Sequence, residues 1–175
     1  MPANDVETVA DGKHIRLVRR GRWEYVTRKS VSGIVGIIAV TDDGKLLLVE
    51  QDRPPVNGSV IEIPAGLAGD IAGHETEALA TAAERELLEE TGYQATAMEY
   101  LTQGTASAGI TDEVITLFRA TGITRMGPAA GDGGEQITVH EIPLAGIDAW
   151  LDAQRQAGKK IDLKVYAGLY FAKRG

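Results

Sequence analysis

Residues 76–91 have the composition and the end signals of an α-helix, and they constrain the fold more than any other segment. The segment is rich in Ala, Leu and Glu, Thr76 is placed to act as its N-cap, and Gly92 follows as its C-terminal stop. The remaining apolar runs are short and separated by Gly, Pro, Asn and Asp, which is typical of β-strands. The sequence therefore predicts an α/β (α+β) domain with mostly sequential strands and few helices.

Two β-hairpins are predicted ahead of this helix. The first consists of residues 14–20 and 22–29, which are separated at Gly21. The second joins residues 31–40 to residues 45–51 through an Asp-Asp-Gly turn. The other expected elements are strands at 60–63, 93–102, 113–120 and 136–142, helices at 145–156 and 162–172, and loops at 66–74 and 122–134.

Length and composition limit the class of protein. The chain has 175 residues, of which 43% are apolar, and this is enough for one hydrophobic core. It has no cysteine, which excludes disulfides, thiolate metal sites and cysteine nucleophiles. No apolar run approaches the roughly 20 residues of a membrane helix, and the N-terminus lacks the apolar core of a signal peptide. We therefore expect a cytoplasmic protein without a membrane partner.

Charge is distributed unevenly along the chain. The net charge is −7. This disfavours nucleic acid as a partner, because sequence-independent binding requires basic residues that neutralise the phosphates. Residues 62–90 hold eight acidic residues and one basic residue, whereas the first 30 residues carry a net charge of +3. This contrast suggests a hard cation beside an anionic ligand, with a solvated charged face as the simpler alternative.

Two glutamates of the predicted helix are candidates for a metal site. At 100° per residue, Glu90 falls inside the apolar stripe of the helix, where an unpaired charge is costly. Glu86 lies one turn earlier, so the two carboxylates project as neighbours and could supply hard oxygen ligands to Mg²⁺ or Mn²⁺. Alternatively, the acidic residues decorate a solvated helix on which Arg85 pairs with Glu89.

The spacing of these glutamates resembles the second part of the Nudix hydrolase signature. Glu77 is followed, after seven residues, by the run Arg-Glu-Leu-Leu-Glu-Glu-Thr-Gly-Tyr at residues 85–93, which meets each required position of that part. The first part differs, because the expected Gly lies eleven rather than six residues before Glu77, at Gly66. If Gly66 is the counterpart, the loop before the helix contains about five extra residues.

Other segments resemble the ADP-ribose or ADP-sugar pyrophosphatase branch of that family. They are the strand and loop at 48–55, the Ile-Glu-Ile-Pro-Ala-Gly segment at 61–66, the strand at 22–28, the acidic loop and strand at 131–143, and the closing helix at 165–173. The resemblance implies a Nudix fold, in which a mixed sheet lies between helices and a β-hairpin arm precedes it. It assigns residues 1–30 to the arm and residues 31–175 to the Nudix domain.

The resemblance also implies a reaction and a set of site residues. The enzyme would hydrolyse the diphosphate of a nucleoside-diphosphate sugar, most simply ADP-ribose to AMP and ribose 5-phosphate, with Mg²⁺ or Mn²⁺ as cofactor. Arg85 would have a structural role, bracing Glu77 and Glu89. The implied site consists of the Ala65 carbonyl, Glu86, Glu89 and Glu90 at the metal, Glu135 or a helix carboxylate as the proton acceptor, and Trp23, Arg28, Arg53 and Glu62 at the substrate.

Simpler roles remain open for the substrate residues. Trp23 could be a packing residue of a strand instead of a platform for adenine, and Arg53 could be a solvent-facing loop charge. Glu62 could be the outward residue of an alternating strand. Ala108 stands where a Ser-Pro-Gly segment of the branch has its proline, which is associated with ADP-ribose specificity. GDP-mannose and an oxidised nucleoside triphosphate are alternative substrates, because the face of Trp23 would stack on any purine. Since Nudix folds also serve as sensing modules, a non-catalytic nucleotide-sugar sensor is an alternative function.

The basic N-terminal arm is expected to form part of an interface. An isolated two-stranded hairpin is only marginally stable, so it should dock on its own subunit or on a second one. The related ADP-sugar pyrophosphatases exchange this segment across a two-fold axis. We therefore expect a homodimer in which Trp23 and Arg28 complete the site of the neighbouring subunit.

Overall fold

The computed structural model describes residues 5–129 and 136–174, and its N-terminal part is a small antiparallel sheet. This sheet consists of β1 (Glu7–Asp11), β2 (Ile15–Arg20) and β3 (Trp23–Arg28), in that order. The first predicted hairpin is confirmed as β2 and β3, which turn at Gly21. Sequence analysis misses β1 because all its side chains are exposed and carry no apolar pattern.

The rest of the described chain contains ten strands and three α-helices. They are β4 (Gly33–Ala39), β5 (Lys45–Arg53), β6 (Gly58–Glu62), β7 (Ala65–Ala68), α1 (Leu79–Thr91), β8 (Tyr93–Gln94), β9 (Ala97–Thr105), β10 (Val114–Thr121), β11 (Thr124–Arg125), β12 (Thr138–Pro143), α2 (Ile147–Gln156), β13 (Lys160–Ile161) and α3 (Leu163–Ala172).

Two four-stranded sheets form the body of the domain within the described residues. One has the strand order β7-β4-β10-β9 and the other the order β12-β5-β6-β13. The pairs β4–β10 and β6–β13 are parallel, whereas the other neighbours in these sheets are antiparallel. A short pair of β8 and β11 lies beside them. The prediction of a mixed sheet architecture is confirmed.

Two apolar cores hold the helices against the sheets. In the first core, Leu87 of α1 packs with Ile37 of β4 and Phe118 of β10. In the second, Leu151 of α2 and residues of α3 pack with Ile38 of β4 and residues of β5 and β6. Because Ile37 and Ile38 are adjacent and both fully buried, β4 is covered on both faces. The helices therefore enclose the sheets, as expected for an α/β/α arrangement.

The second predicted hairpin is wrong in its strand pairing. The turn forms, because Gly44 has a φ of +80° and its N–H donates to the Thr41 carbonyl at 2.8 Å. However, β4 and β5 enter different sheets, and only an isolated bridge joins Val40 to Leu46. The physical reason is burial on both faces, since four consecutive residues of β5, 46–49, are fully buried. Each strand therefore lies inside its own sheet instead of pairing across the turn.

Four other predictions need correction. The loop expected at 122–134 contains the short strand β11, which pairs with β8. The loop expected at 66–74 begins with β7, which pairs antiparallel with β4. Helix α1 begins at Leu79 with Ala78 as its N-cap residue, so Thr76 does not cap it. The preceding residues form turns, and the nearly buried Glu77 side chain contacts Arg85. The strand expected at 93–102 is divided into β8 and β9. Within the described ranges, no helix has the length and apolarity needed to cross a bilayer.

Candidate active site

The buried carboxylate of Glu90 lies where α1 meets the start of β7. Its Oε2 accepts a hydrogen bond from the backbone N–H of Ala65 at 3.0 Å. The residue is only 7% exposed, so it lies on the buried face that its position in the helical pattern predicts. Burial raises the pKa of Glu90 to about 8, and the nearby charge of Glu86 acts in the same direction. Ionisation of this carboxylate is therefore costly unless a cation is close.

Gly66 allows Glu86 to approach the backbone of β7. A Cβ atom at this position would lie 1.9 Å from the carboxyl carbon of Glu86 and 2.2 Å from one of its oxygens. A residue with a side chain would thus displace the carboxylate. Burial also raises the pKa of Glu86, although the neighbouring Arg85 opposes this shift.

Arg85 ties the acidic side chains of this region together. Its side chain is 20% exposed. The side chain extends from α1 to β7. Partial burial lowers the pKa of Arg85, but the surrounding carboxylates raise it by more. The oxygens within contact distance belong to Glu86 at 2.8 Å, Glu89 at 3.0 Å, the Leu67 carbonyl at 2.8 Å, Glu77 at 3.4 Å and Asp70 at 3.7 Å. The predicted bracing of Glu77 and Glu89 is confirmed.

Arg53 and Glu62 form an ion pair at the end of β5. The guanidinium donates through Nε to Glu62 Oε2 at 2.8 Å, and its Nη2 lies 2.8 Å from the same oxygen. The Gln51 amide also donates to this oxygen, at 3.2 Å. Glu62 is 7% exposed, so it is not an outward residue of an alternating strand. Arg53 is held by this carboxylate and is therefore not simply a solvent-facing loop charge.

Arg28 reaches the same region from the N-terminal arm. Its Nε donates to Glu113 at 2.5 Å. The arm docks on its own chain, since the Val26 N–H donates to the Ile110 carbonyl at 2.8 Å and an isolated bridge joins Val26 of β3 to Thr111 in the loop before β10. Arg28 therefore lines the pocket of its own chain.

Trp23 lies apart from the acidic side chains. It is 57% exposed and lines a separate depression of about 340 Å³ together with Tyr25, Ala108 and Gly109. The structure thus brings Trp23 beside the segment in which Ala108 replaces the proline, but not beside Glu86 or Glu90. The indole is not a packed core residue.

One pocket of about 540 Å³ gathers the other described candidates. Arg28, Arg53, Glu62, Ala65, Glu86, Glu89 and Glu90 all line it. Sequence analysis misses Asp70, Glu113 and Lys164, which also line it. Asp70 lies in the lengthened loop before α1, and this extra length is the signal that could have identified it. Glu113 and Lys164 are part of no sequence motif. Glu135, the expected proton acceptor, falls outside the described residues.

The charges of this pocket fit a bound cation. Three cationic side chains face six carboxylates, which leaves −3 when all are ionised. Such a pocket would repel a diphosphate, whereas one divalent cation would offset most of this charge and two would exceed it. The donors are carboxylate oxygens, the type that Mg²⁺ prefers. Over residues 5–129 and 136–174, however, no three acidic or histidine side chains are close enough to form a ready-made metal site.

Comparison with known proteins identifies the family of the chain. The sequence pattern of the NUDIX domain matches residues 32–161. The chain therefore belongs to the NUDIX domain family, and the resemblance inferred from its sequence is confirmed.

Two curated proteins show more specific similarity. The chain is 40% identical over 113 residues to the methanol dehydrogenase activator of Bacillus methanolicus, covering 64% of this chain and 58% of that protein. It is 36% identical over 131 residues to the ADP-ribose pyrophosphatase of Mycobacterium tuberculosis, covering 73% of this chain and 61% of that protein. The chain thus spans less than two thirds of the length of either relative.

A solved structure described as an ADP compounds hydrolase has a similar fold. The TM-score is 0.66 at 21% sequence identity, and the match covers 85% of this chain and 80% of that one. At this level of identity, the likeness shows the fold alone.

Proposed function

We propose that the protein is a Mg²⁺-dependent Nudix pyrophosphatase that hydrolyses a nucleoside-diphosphate sugar, with ADP-ribose cleaved to AMP and ribose 5-phosphate. The observation that carries this proposal is a single pocket in which the carboxylates of α1 face two arginines from other elements. The mycobacterial relative is named for its action on ADP-ribose, which supports this choice of substrate.

The proposed metal ligands are Glu86 and Glu90, with Glu89 and the Ala65 carbonyl as further oxygen donors. A bound Mg²⁺ would neutralise phosphate charge and lower the pKa of a coordinated water, with Mn²⁺ able to serve in its place. Arg85 keeps Glu86 and Glu89 in position through its two shorter carboxylate contacts. The Ala65 N–H does the same for Glu90. These contacts limit the reorganisation that substrate binding requires.

Arg28 and Arg53 are the proposed diphosphate ligands. A guanidinium has five N–H donors, so an arginine that contacts one carboxylate retains donors for a phosphate oxygen. Glu113 and Glu62 fix the direction of these two guanidinium groups before the substrate arrives. Glu135 is proposed as the group that takes the proton from the attacking water, with a carboxylate of α1 as the alternative.

A hydrolysis panel tests this function. Purified protein is assayed with ADP-ribose, GDP-mannose and an oxidised nucleoside triphosphate, with Mg²⁺ and with a chelator, and the products are identified. We expect Mg²⁺-dependent formation of AMP and ribose 5-phosphate from ADP-ribose at the highest kcat/KM. A higher value with another nucleotide would replace the substrate, and tight binding of ADP-ribose without turnover would favour the sensor alternative.

The homodimer, the separate role of residues 1–30 and the cytoplasmic location stay predictions. The contribution of Trp23 and Arg28 to the site of a neighbouring subunit stays a prediction with them; within one chain, Arg28 lines the pocket around Glu86 and Glu90, here called the acidic pocket, and Trp23 lines a separate one. Light scattering measures the oligomeric state directly. A second test mixes two inactive variants, Trp23→Ala and the double variant Glu86→Gln, Glu90→Gln. If the indole of the partner subunit is required, the mixture should recover activity. No recovery after verified subunit exchange would exclude that role.

A further inference from the structure

Gln51 is a buried polar residue that has no role in the reaction proposed above. It is 5% exposed, lies on β5 two residues before Arg53, and does not line the acidic pocket. Within the described residues, the only hydrogen-bond partner of its side chain is Glu62. A buried amide destabilises a protein unless it is hydrogen-bonded, so this one contact accounts for the presence of a polar side chain here.

The register of the strands brings Gln51, Arg53 and Glu62 to one face of the sheet. β5 and β6 are antiparallel, and Gln51 lies opposite Val60, so Glu62 is its diagonal neighbour. Arg53 is one alternate position further along β5, and its side chain must therefore extend back along the sheet to meet Glu62. Gln51 lies between the carboxylate and the point at which the Arg53 side chain leaves the strand.

One oxygen of Glu62 takes the contacts of both neighbours. Arg53 Nε donates to Oε2 at 2.8 Å, and the Gln51 amide donates to the same oxygen at 3.2 Å. The terminal torsion of a glutamate is broad, so an unsupported carboxylate could turn and offer either oxygen to the guanidinium. The amide opposes this rotation, because its buried N–H would lose its acceptor. It therefore fixes the orientation of the group that holds Arg53.

This arrangement leaves one edge of the Arg53 guanidinium for a ligand. Nε and Nη2 both lie 2.8 Å from Glu62, whereas Nη1 has no hydrogen-bond or salt-bridge partner among residues 5–129 and 136–174. Arg28 is held less firmly, since in the same parts of the chain no second side chain donates to the Glu113 carboxylate that it contacts. Of the two proposed phosphate ligands, Arg53 is thus the one with an additional support.

We propose that Gln51 is a positioning residue, which fixes Glu62 and thereby directs the free edge of the Arg53 guanidinium at the diphosphate. This inference rests on the proposed function, and Gln51 itself touches no substrate atom. A guanidinium that is already oriented loses less rotational freedom when it binds the phosphate, and it needs less reorganisation in the transition state. The amide therefore acts on kcat/KM through Arg53, whereas a purely structural role would act on stability alone.

The test is a double-mutant cycle of Gln51→Met and Arg53→Lys. Methionine is unbranched and fills the buried space without a strong donor. Alone, Gln51→Met should lower kcat/KM for ADP-ribose about fivefold to tenfold, the effect of one lost hydrogen bond. In the Arg53→Lys background the guanidinium edge is absent, so the same substitution should lower kcat/KM by less than about twofold.

Binding of inorganic pyrophosphate in the presence of Mg²⁺ gives a second readout that requires neither the nucleoside nor turnover. Isothermal titration calorimetry should show Kd increased about fivefold or more in Gln51→Met. Thr116→Val is the matched control, because it removes another buried polar group from a strand position outside the acidic pocket. It should leave kcat/KM and Kd at their wild-type values.

Thermal unfolding of each variant verifies that the fold is retained, and Gln51→Leu replaces Gln51→Met if the latter does not fold. Unchanged kcat/KM and pyrophosphate affinity would overturn the inference, as would equal losses in the wild-type and Arg53→Lys backgrounds. A wild-type protein that does not bind pyrophosphate would also overturn it. Weaker pyrophosphate binding in Gln51→Met, together with no hydrolysis of ADP-ribose by the wild type, would defeat the proposed function but support this inference.

Discussion

The acidic pocket and the N-terminal arm are both rich in charge, but they use it differently. On the arm, Arg16 pairs with Asp11 and Arg19 pairs with Glu24, and all four side chains are between 43% and 51% exposed. Around α1, by contrast, Arg85 is 20% exposed. Several of the carboxylates beside it are largely buried. Solvent screens the pairs on the arm, so their rupture has little effect.

The network around Arg85 differs because one guanidinium contacts all its carboxylates, and two of them, Glu77 and Glu86, have little exposure to solvent. Removal of one member leaves a partly buried charge without compensation, which is costly. The position of a charge in the fold, and not its presence in the sequence, therefore decides its importance. The predictions below test this difference by changing single members of each network.

The largest effect is expected at Glu90. Glu90→Gln should lower Mg²⁺-dependent turnover by at least about a hundredfold, because the variant loses a metal-binding charge. In metal-free buffer its thermal midpoint should be unchanged or higher, since an isosteric neutral amide replaces a carboxylate that is costly to ionise there. Steady-state hydrolysis and thermal unfolding measure the two effects.

Glu84→Gln is the matched control for this prediction. Glu84 is an exposed residue of the same helix, so its substitution removes one charge without touching the pocket. Near-normal turnover of Glu90→Gln, or an equal loss in both variants, would contradict the assignment of Glu90 to the metal site.

A smaller effect is expected at Gly66. In Gly66→Ala the new methyl group meets the Glu86 carboxylate, which must leave Arg85 or push β7 away. We expect turnover to fall about tenfold and the free energy of unfolding to fall by about 1–3 kcal/mol. Urea denaturation and hydrolysis assays measure these changes. Gly146→Ala is the control, because no atom lies within 4 Å of a Cβ there, and a similar loss in the control would sink the steric explanation.

A third charge cluster, around Glu50, should have an effect that depends on pH. Although burial opposes the shift, hydrogen bonds from Lys159, Ser59 and His140 lower the pKa of Glu50 to about 2. The ionised carboxylate therefore stabilises the fold above its ordinary pKa of about 4.5, and this contribution is lost as the pH falls toward 2.

Glu50→Gln should remove this dependence on pH. Urea denaturation at pH 6 and pH 3.5 should show a smaller loss of unfolding free energy in the variant than in the wild type. At pH 6 the variant should be less stable by about 1 kcal/mol or more, since hydrogen bonds to a charged group are lost. Glu99→Gln, at an exposed position of β9, should reproduce the wild-type slope. Identical slopes for all three proteins would refute the role of Glu50.

The smallest effect is expected on the arm. Arg19→Gln breaks the exposed pairs with Glu24 and Glu7. Because solvent competes for these charges, urea denaturation should not distinguish the variant from the wild type. A clear loss of stability would mean that the arm and the pocket use charge in the same way, and the comparison would fail.

The helical part of the site could be predicted from the sequence. The period of an α-helix fixes which residues share a face, so the positions of Glu86 and Glu90 follow from their spacing. The same period brings Arg85 beside Glu89. The partner of Glu90 at Ala65 depends instead on how a distant segment packs, which helical spacing alone does not encode. For Ala65, only the family resemblance supplied the link.

Strand pairing and the reach of long side chains could not be predicted in this way. An apolar run indicates a strand but not its neighbour, which is why β4 and β5 were expected to pair with each other. Glu113 and Lys164 enter the pocket from elements with no local signal of function. The docking of the arm through Val26 also depends on a loop more than 80 residues away in the chain.

The parallel pairing of β4 with β10 has a consequence for the order of folding. Ile37 aligns with Phe118, so this contact closes a loop of about 80 residues that contains α1 and the whole acidic segment. During synthesis, β4 can pair with β7 early, but its other neighbour, β10, emerges only later. The carboxylates of α1 are therefore synthesised early but buried late. A chain that ends after Gly109 lacks β10 and should show no cooperative unfolding transition in calorimetry.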